Sequence, residues 1–308
     1  MPAPAIAFLV LAHADPEQVK RLVARLKPHD VFIHVDAKTT LDAAWAQVDA
    51  QLIPNRVPVY WAGFSQVHAT LALLKAALAT NTVYDRIVLL SGACYPSRPL
   101  PELEDLFRTN PGRNFIKYVH VRESAHLSTL IDHVYFRGGI LPWRATTRSR
   151  ALLLAERVLR KCLEKASSLV TRKPLAGWTP FHGSAYWAIT PEAGQHILDT
   201  VAGSRGQALE KYYRRAFASD EQFFHTIIGN SSFAECSTGP QEFLGRGTYR
   251  MGNLHLVDPS LTKWFGPGDL QMVTQSPMYF VRKVRSSTSA GLLDALDQRA
   301  GEVTKAPQ

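Results

Sequence analysis

The chain reads as an α/β protein, a mostly parallel central sheet flanked by helices, and three observations predict it. Ala5-Ile6-Ala7-Phe8-Leu9-Val10-Leu11 and Arg86-Ile87-Val88-Leu89-Leu90 are short, nearly continuous apolar runs, as strands buried on both faces require. Helical patterns alternate with strands over the first ~120 residues, the signature of parallel strands joined by crossover helices. The 308 residues, 46% of them hydrophobic, suffice for one large core. No repeat, low-complexity linker or domain boundary interrupts the pattern. Residues 1–300 are therefore expected to form one domain and 301–308 a flexible tail.

The elements follow in order. Asp15-Pro16 starts a helix that ends near Leu26, with proline at its first position. Asp30 to Asp36 is a second strand, and Val57 to Trp61 a third, with Pro58 marking a sheet edge. Ser65 caps a helix whose apolar stripe is Val67, Leu71, Leu74 and Leu78. The strand ending at Leu90 leads through a glycine-containing loop to a helix from Pro101 to near Arg108. Gly183 to Ile189 reads as a strand, and Thr190-Pro191 as the cap and first position of a helix. Ser219, with Gln222 three residues later, predicts a capping-box helix start, anchored by Phe223, Phe224, Ile227 and Ile228. Met278 to Val284 is a late strand; its alternation sets Arg282 and Lys283 on opposite faces, one of them toward a crevice.

The net charge of +9 is concentrated. From Arg137 to Lys173, ten Lys or Arg stand against Glu156 and Glu164, a balance of +8 (10 − 2). Within it, Ala151 to Val170 sets Leu152, Leu153, Leu159, Leu163 and Val170 among Arg157, Arg160, Lys161 and Lys165. Such a basic amphipathic helix suits an anionic membrane surface or a polyanionic acceptor, or is the solvated face of a packed helix. Nucleic acid is not indicated, because no nucleic-acid motif occurs and aromatics are not interleaved with the charge. Cys94, Cys162 and Cys236 are few, scattered and without a C-x-x-C, so the expected compartment is the cytoplasm, with peripheral membrane attachment through 137–173. The apolar run Ala5 to Ala12 is too short to span a bilayer and lacks a basic leader.

Ligands of parallel sheets bind beyond the strands' C-terminal ends, which places His13, Asp36, Gly63 and Ser91-Gly92-Ala93-Cys94 near one crevice. Asp220 and Glu221 fall at the open start of the Ser219 helix, where free N–H groups and the dipole favour an ionised carboxylate. A general base needs that state, although first turns are often acidic for the dipole alone. No P-loop, G-x-G-x-x-G or H-E-x-x-H occurs, and no Asp-x-Asp. A departing diphosphate would then need a helix N-terminus or cationic side chains, for which Lys263, Arg282 and Lys283 are candidates. His34-Val35-Asp36 suits a metal, a ribose hydroxyl or a plain loop end. Gly63-Phe64-Ser65-Gln66-Val67 has the placement of a nucleophile elbow, but Val67 stands where the elbow needs glycine. Ser65 is therefore read as a cap, with an α/β-hydrolase using Ser65 kept as a rival.

Several segments in one order, from about Ala7 to Leu296, resemble the core-2/I-branching β-1,6-N-acetylglucosaminyltransferase and peptide O-xylosyltransferase family. They are His13-Ala14-Asp15-Pro16-Glu17-Gln18, His34-Val35-Asp36-Ala37-Lys38, Leu90-Ser91-Gly92-Ala93-Cys94-Tyr95-Pro96, His182-Gly183-Ser184-Ala185-Tyr186-Trp187, Ser219-Asp220-Glu221, Gly266-Pro267-Gly268-Asp269-Leu270 and Phe280-Val281-Arg282-Lys283. The resemblance implies a GT-A-like, Rossmann-like fold and inverting, metal-independent transfer from a UDP-sugar to a hydroxyl of a glycan or lipid-linked glycan. It implies no cofactor beyond that co-substrate. Glu221 would be the general base and Lys283 would sit at the diphosphate, helped by Lys263 or Arg282. Asp36 would lie at the nucleotide, with His13, Gly92 and Cys94 also on the donor side. Gly183, Ser184, Trp187 and Asp220 would line the acceptor side. Cys94 replaces the family's usual aspartate near the donor sugar, which leaves N-acetylglucosamine as the first expectation and xylose as the next. A non-catalytic relative that binds a membrane or glycan is the remaining rival.

Overall fold

The computed structural model describes residues 4–138 and 149–305. The chain opens with β1 (Ile6–Ala12), α1 (Pro16–Leu26), β2 (Asp30–Val35), the short α2 (Ala43–Ala46), β3 (Gln51–Leu52), α3 (Ser65–Leu78), β4 (Arg86–Ser91), β5 (Cys94–Pro96) and α4 (Leu100–Thr109). It continues through β6 (Tyr118–His120), α5 (Ala125–Asp132), α6 (Arg150–Ser167), β7 (Phe181–Gly183), β8 (Ala188–Ile189), α7 (Pro191–Ala202) and α8 (Ser204–Tyr213). The last elements are α9 (Phe223–Gly229), β9 (His255–Val257), α10 (Leu270–Gln275), β10 (Phe280–Arg282) and α11 (Ser286–Lys305).

The main sheet has the order β3-β2-β1-β4-β8, with β8 antiparallel to β4 and the other pairings parallel. β1 is apolar throughout because it lies between two neighbours: Phe8 stands opposite Val31 on one side and Val88 on the other. Alternation along the strands divides the core into two layers. Phe8, Val10, Ile33 and Leu90 pack with Val19 and Leu22 of α1 and Leu292 and Leu293 of α11. Ala7, Leu9, Phe32 and Leu89 pack with Leu73 and Leu74 of α3, Ile197 of α7 and Ile227 of α9. The α1 start forms as expected, its Asp15 carboxylate accepting the Gln18 N–H at 3.2 Å ahead of Pro16. Arg21 on α1 then pairs with Asp294 (2.7 Å) and Asp297 (2.6 Å), which seats α11. That helix continues to Lys305, past Gly301 where a tail is expected; 306–308 lie outside the described residues.

Three local expectations are corrected. Val57–Trp61 is not a strand. The Val57 N–H donates to His34 Nε2 (2.9 Å) and the Val59 N–H to Asp36 Oδ1 (3.3 Å), so side chains at the end of β2 take the place of a ladder. The sheet edge is β3 instead. Gly183–Ile189 is broken by a turn in which Ser184 Oγ accepts the Tyr186 N–H (3.3 Å). Its first half pairs with β6, and Ala188-Ile189 crosses to the main sheet opposite Val88 and Ile87. Ser65 is the first residue of α3 rather than its cap, and its Oγ accepts the Tyr60 N–H at 2.8 Å, tying down the preceding loop. Among the described residues no histidine hydrogen-bonds Ser65, and a hydrolase triad has no support there.

The chain leaves β1 toward β2 on one side and returns to β4 on the other. The C-terminal ends of β1 and β4 therefore flank the topological switch point, where open α/β sheets bind ligands. A second sheet, β5-β10-β9, closes one side of that crevice, with β10 antiparallel to β5 and Arg282 opposite Cys94.

Candidate active site

The crevice floor is set by the turn after β4. The Gly92 N–H donates to the Leu11 carbonyl at 2.9 Å, and a Cβ there would stand 2.9 Å from Val19 Cγ2, so a side chain does not fit without a shift. Just before it, Ser91 Oγ accepts a hydrogen bond from the Arg282 guanidinium. The Ser91 N–H donates to Cys94 Sγ at 3.3 Å, which holds the fully buried thiol inward. Tyr186 completes the enclosure with its ring 4.6 Å below the guanidinium. Burial opposes the charge of Arg282, but Tyr186, Cys94 and the Asp220 carboxylate outweigh it, and the guanidinium pKa is raised. The Tyr186 hydroxyl is pushed up to about 12, chiefly by burial. β10 sends Arg282 into the crevice, and because the strand ends there its alternation does not extend to Lys283. Lys283 beside it is partly buried, and its pKa is lowered by burial and by Arg282.

The acidic pair arrives from the other side. Ser219–Glu221 is a single 3-10 turn after Ala218, which has φ 50° and whose N–H donates to Ala62 O at 3.0 Å. The expected capping box is absent. Ser219 Oγ donates to the Tyr213 carbonyl (2.7 Å) and Gln222 Nε2 to the Phe217 carbonyl (2.7 Å). The reason is the depth of α9: Phe223, Phe224, Ile227 and Ile228 are pulled fully into the core. The turn before them is buried too, and its polar side chains satisfy carbonyls that water cannot reach.

Consequently Asp220 and Glu221 are not exposed helix-start carboxylates. Asp220 is buried at 8% exposure, with Oδ2 accepting from Gln66 Nε2 at 2.7 Å and Oδ1 without a hydrogen bond. Burial lifts its pKa to about 6, against the pull of backbone N–H groups, Arg282 and Gln66. Glu221 keeps 24% of its side chain exposed, with Oε2 3.9 Å from His182 Nε2. Burial first, and the Asp220 charge second, raise its pKa well above the usual carboxylate range. His182 is held down to about 4 by burial and then His126, and His225 to about 3 by burial and then His182. Glu221 thus has a neutral imidazole beside it at pH 7, not a cation.

Gly183 fits this packing only as glycine. A Cβ would lie 2.2 Å from the Lys117 carbonyl oxygen and 2.6 Å from the His225 ring. Gly183→Ala is expected to lower stability by about 3 kcal/mol, the upper part of the overpacking range, measured by denaturant unfolding. A variant as stable as the parent would show that the β6–β7 contact is loose. Ser184 serves the turn already described. Trp187 is corrected: it is 1% exposed and packs on Phe224 at 5.6 Å between centroids, so it is core and not an acceptor platform.

The remaining candidates lie along the rim. His13 is exposed after β1, and its carbonyl accepts from Thr39 Oγ1 at 2.7 Å. The Asp36 N–H donates to the Ala12 carbonyl, while its carboxylate accepts the Lys38 N–H (2.9 Å) and pairs with Lys38 Nζ (2.9 Å). Both shape the mouth at β1 and β2. Neither is seen in contact with the Arg282–Asp220–Glu221 cluster. Lys263 already pairs with Asp269 Oδ1 at 2.6 Å, which makes it a weak candidate for the diphosphate. Among the described residues, no group of three His, Cys, Asp or Glu converges as a metal site. Sequence reasoning missed Gln66, Tyr186 and His182 as members of the site. Tyr186 and His182 lay within the His182–Trp187 motif, but the hidden turn at Ser184 defeated the alternation that would have sorted their faces.

A model of the Core-2/I-branching enzyme family matches residues 6–241, or 236 of the 308. The chain belongs to the Core-2/I-branching enzyme family. It is 24% identical over 316 aligned residues to rat and human xylosyltransferase 2 and 25% identical over 319 to the xylosyltransferase oxt of Drosophila melanogaster. Each alignment covers 95% of this chain and 33% of the relative, so the chain spans about a third of the length of the curated relatives it matches. Among solved structures, mouse xyloside xylosyltransferase 1 in its apo form aligns with a TM-score of 0.34 and 14% identity, over 77% of this chain and 84% of that one. Arg282 and Lys283 lie beyond the family match, and their place in this Core-2/I-branching enzyme rests on the β5–β10 pairing.

Proposed function

We propose that this chain is an inverting glycosyltransferase that moves a sugar from UDP to a hydroxyl of a glycan acceptor without a metal ion. The observation that carries the reading is the buried Asp220-Glu221 carboxyl pair facing a fixed guanidinium, Arg282, whose charge acts on Asp220 at the switch-point crevice. The acceptor oxygen attacks the anomeric carbon from the face opposite the diphosphate. The new C–O bond forms as the old one breaks, the electron pair leaves with UDP, and the proton passes to Glu221. A raised pKa makes Glu221 a stronger base than an ordinary carboxylate. Arg282 and Lys283 neutralise the leaving diphosphate. A cavity of about 240 Å³ is lined by Lys117, Phe243, Met251 and His182, the last of which lies 3.9 Å from Glu221 Oε2, and it is the space proposed for the acceptor. The free thiols of Cys94, Cys162 and Cys236 suit a cytoplasmic compartment, which is part of the same proposal.

N-acetylglucosamine is the first donor sugar proposed, from the family's branching enzymes. Xylose is a second reading, favoured by the xylosyltransferase names of the relatives. The deciding experiment is thermal stabilisation by a panel of UDP-sugars in EDTA. At one hundred times its Kd the right donor should add about 2.7 kcal/mol. Loss of binding on chelation, restored by manganese, would overturn the metal-independent reading. No stabilisation by any UDP-sugar would favour a non-catalytic relative.

A further inference from the structure

Of the two expectations for the helix α6, packing with its leucines inward is not what the structure shows. Of its described residues only Glu156 is buried. The inward seam is polar: Glu164 accepts from the Phe136 N–H (3.1 Å), pairs with Arg160 (3.2 Å) and Arg137 (3.3 Å), and Ser167 Oγ donates to the Val134 carbonyl (2.8 Å). Apart from the partly buried Leu153, the leucines face out. Leu152, Leu154, Val158 and Leu159 are 45–58% exposed, and Leu169 and Val170 just past the helix are more so. Arg157, Lys161 and Lys165, four residues apart, are exposed along one edge of this apolar face. The two acids of the helix, Glu156 and Glu164, belong to the inward seam, so no carboxylate of the helix itself opposes the basic edge. Arg144 and Arg148 of the same basic stretch lie outside the described residues.

We propose that α6 is a docking face for an anionic lipid bilayer, lying in the interface with its leucines among the acyl chains and Arg157, Lys161 and Lys165 among the headgroups. An apolar face bordered by unopposed basic residues is the pattern of in-plane membrane helices. A protein partner would match the leucines without using the one-sided charge. The face also has a route to the active site. Arg137, paired with Glu164, lies 4.7 Å over the Phe217 ring, and Phe217 leads directly into the Ala218–Glu221 turn. Trp61, 76% exposed, stands edge-on to Phe217 at 5.5 Å. Docking by α6 would bring this side of the crevice toward the bilayer, as a lipid-linked acceptor requires.

The test is flotation of the whole protein with vesicles of phosphatidylcholine alone or with phosphatidylglycerol added. Partition onto the anionic vesicles is expected, weakening as salt rises. The triple change Arg157→Gln, Lys161→Gln, Lys165→Gln should lower it by about 10²-fold. Leu152→Ser, Leu159→Ser, Leu163→Ser should abolish it at every salt concentration. These positions are exposed, so melting temperature and UDP stabilisation should stay as in the parent, and failure of the lipid test would leave the transfer reading standing. Equal partition to both vesicles, no partition, or unchanged binding in either triple variant would overturn the proposal. So would a leucine-dependent dimer in sedimentation with no lipid present.

Discussion

Glu221→Gln should lower turnover by about 10²–10⁴-fold, the usual worth of a positioned base, with little change in UDP affinity. The amide keeps the shape and still hydrogen-bonds the acceptor, but it cannot take the proton. The pH profile carries a second, sharper expectation. Because burial and Asp220 raise the Glu221 pKa, the rising limb of kcat/KM should lie above the range of an ordinary carboxylate. Asp220→Asn removes the neighbouring charge and should move that limb to lower pH while keeping most of the maximal rate. Asp220 also gives a stability signature. Its folded pKa, about 6, lies above the unfolded value of 3.8, so the folded chain binds this proton more tightly. The stabilisation is complete below the unfolded pKa and is lost as pH rises through the folded one. Asp220→Asn should therefore gain up to about 3 kcal/mol at pH 8 and nothing at pH 3. An Asp220→Asn enzyme that is inactive while Glu221→Gln remains active would reverse the assignment of the base.

Removing the cations is the second large effect. Arg282→Ala should lower kcat/KM by about 10²–10³-fold, the range for loss of one preorganised group that stabilises transition-state charge. Arg282 is held by the protein's own Ser91 and Tyr186 ring, so its charge is preorganised. Lys283→Ala should weaken UDP binding and turnover together, because that charge meets the diphosphate in ground and transition states alike. Burial first, and repulsion from the neighbouring Arg282 second, lower the Lys283 pKa. A bound diphosphate would reverse the shift. UDP affinity should accordingly fall as pH rises through the depressed Lys283 pKa, and isothermal titration at several pH values measures it. Normal UDP affinity and turnover in both variants would place the diphosphate elsewhere on the crevice wall.

The strands β1, β2 and β4 and the helices α1 and α7 were legible in the sequence because their signals are local. Apolar runs mark strands covered on both faces, and Asp15-Pro16 and Thr190-Pro191 are caps whose hydrogen bonds span three residues. The crevice followed from topology, since strand ends and helix alternation suffice to place a switch point. The resemblance in motif order by itself points to Glu221 and the Arg282-Lys283 pair.

Only the tertiary structure decided their environments. Ser219, Gln222 and Asp220 have the residue types of an exposed helix start, yet the burial of α9 turns them inward and raises the carboxyls that a free helix start would favour as ions. Ser184 breaks a seven-residue apolar pattern into two strands of different sheets, which sends Trp187 to the core and Tyr186 to Arg282. In α6 the periodicity is amphipathic, but periodicity does not say which face turns inward. The Arg137–Glu164 ion pair and the Ser167 hydrogen bond to Val134 join residues distant in the chain. They seat the polar seam inward and leave the leucines outside. In each case the local pattern states what a segment can bury, and desolvation by residues distant in the chain determines what it does bury.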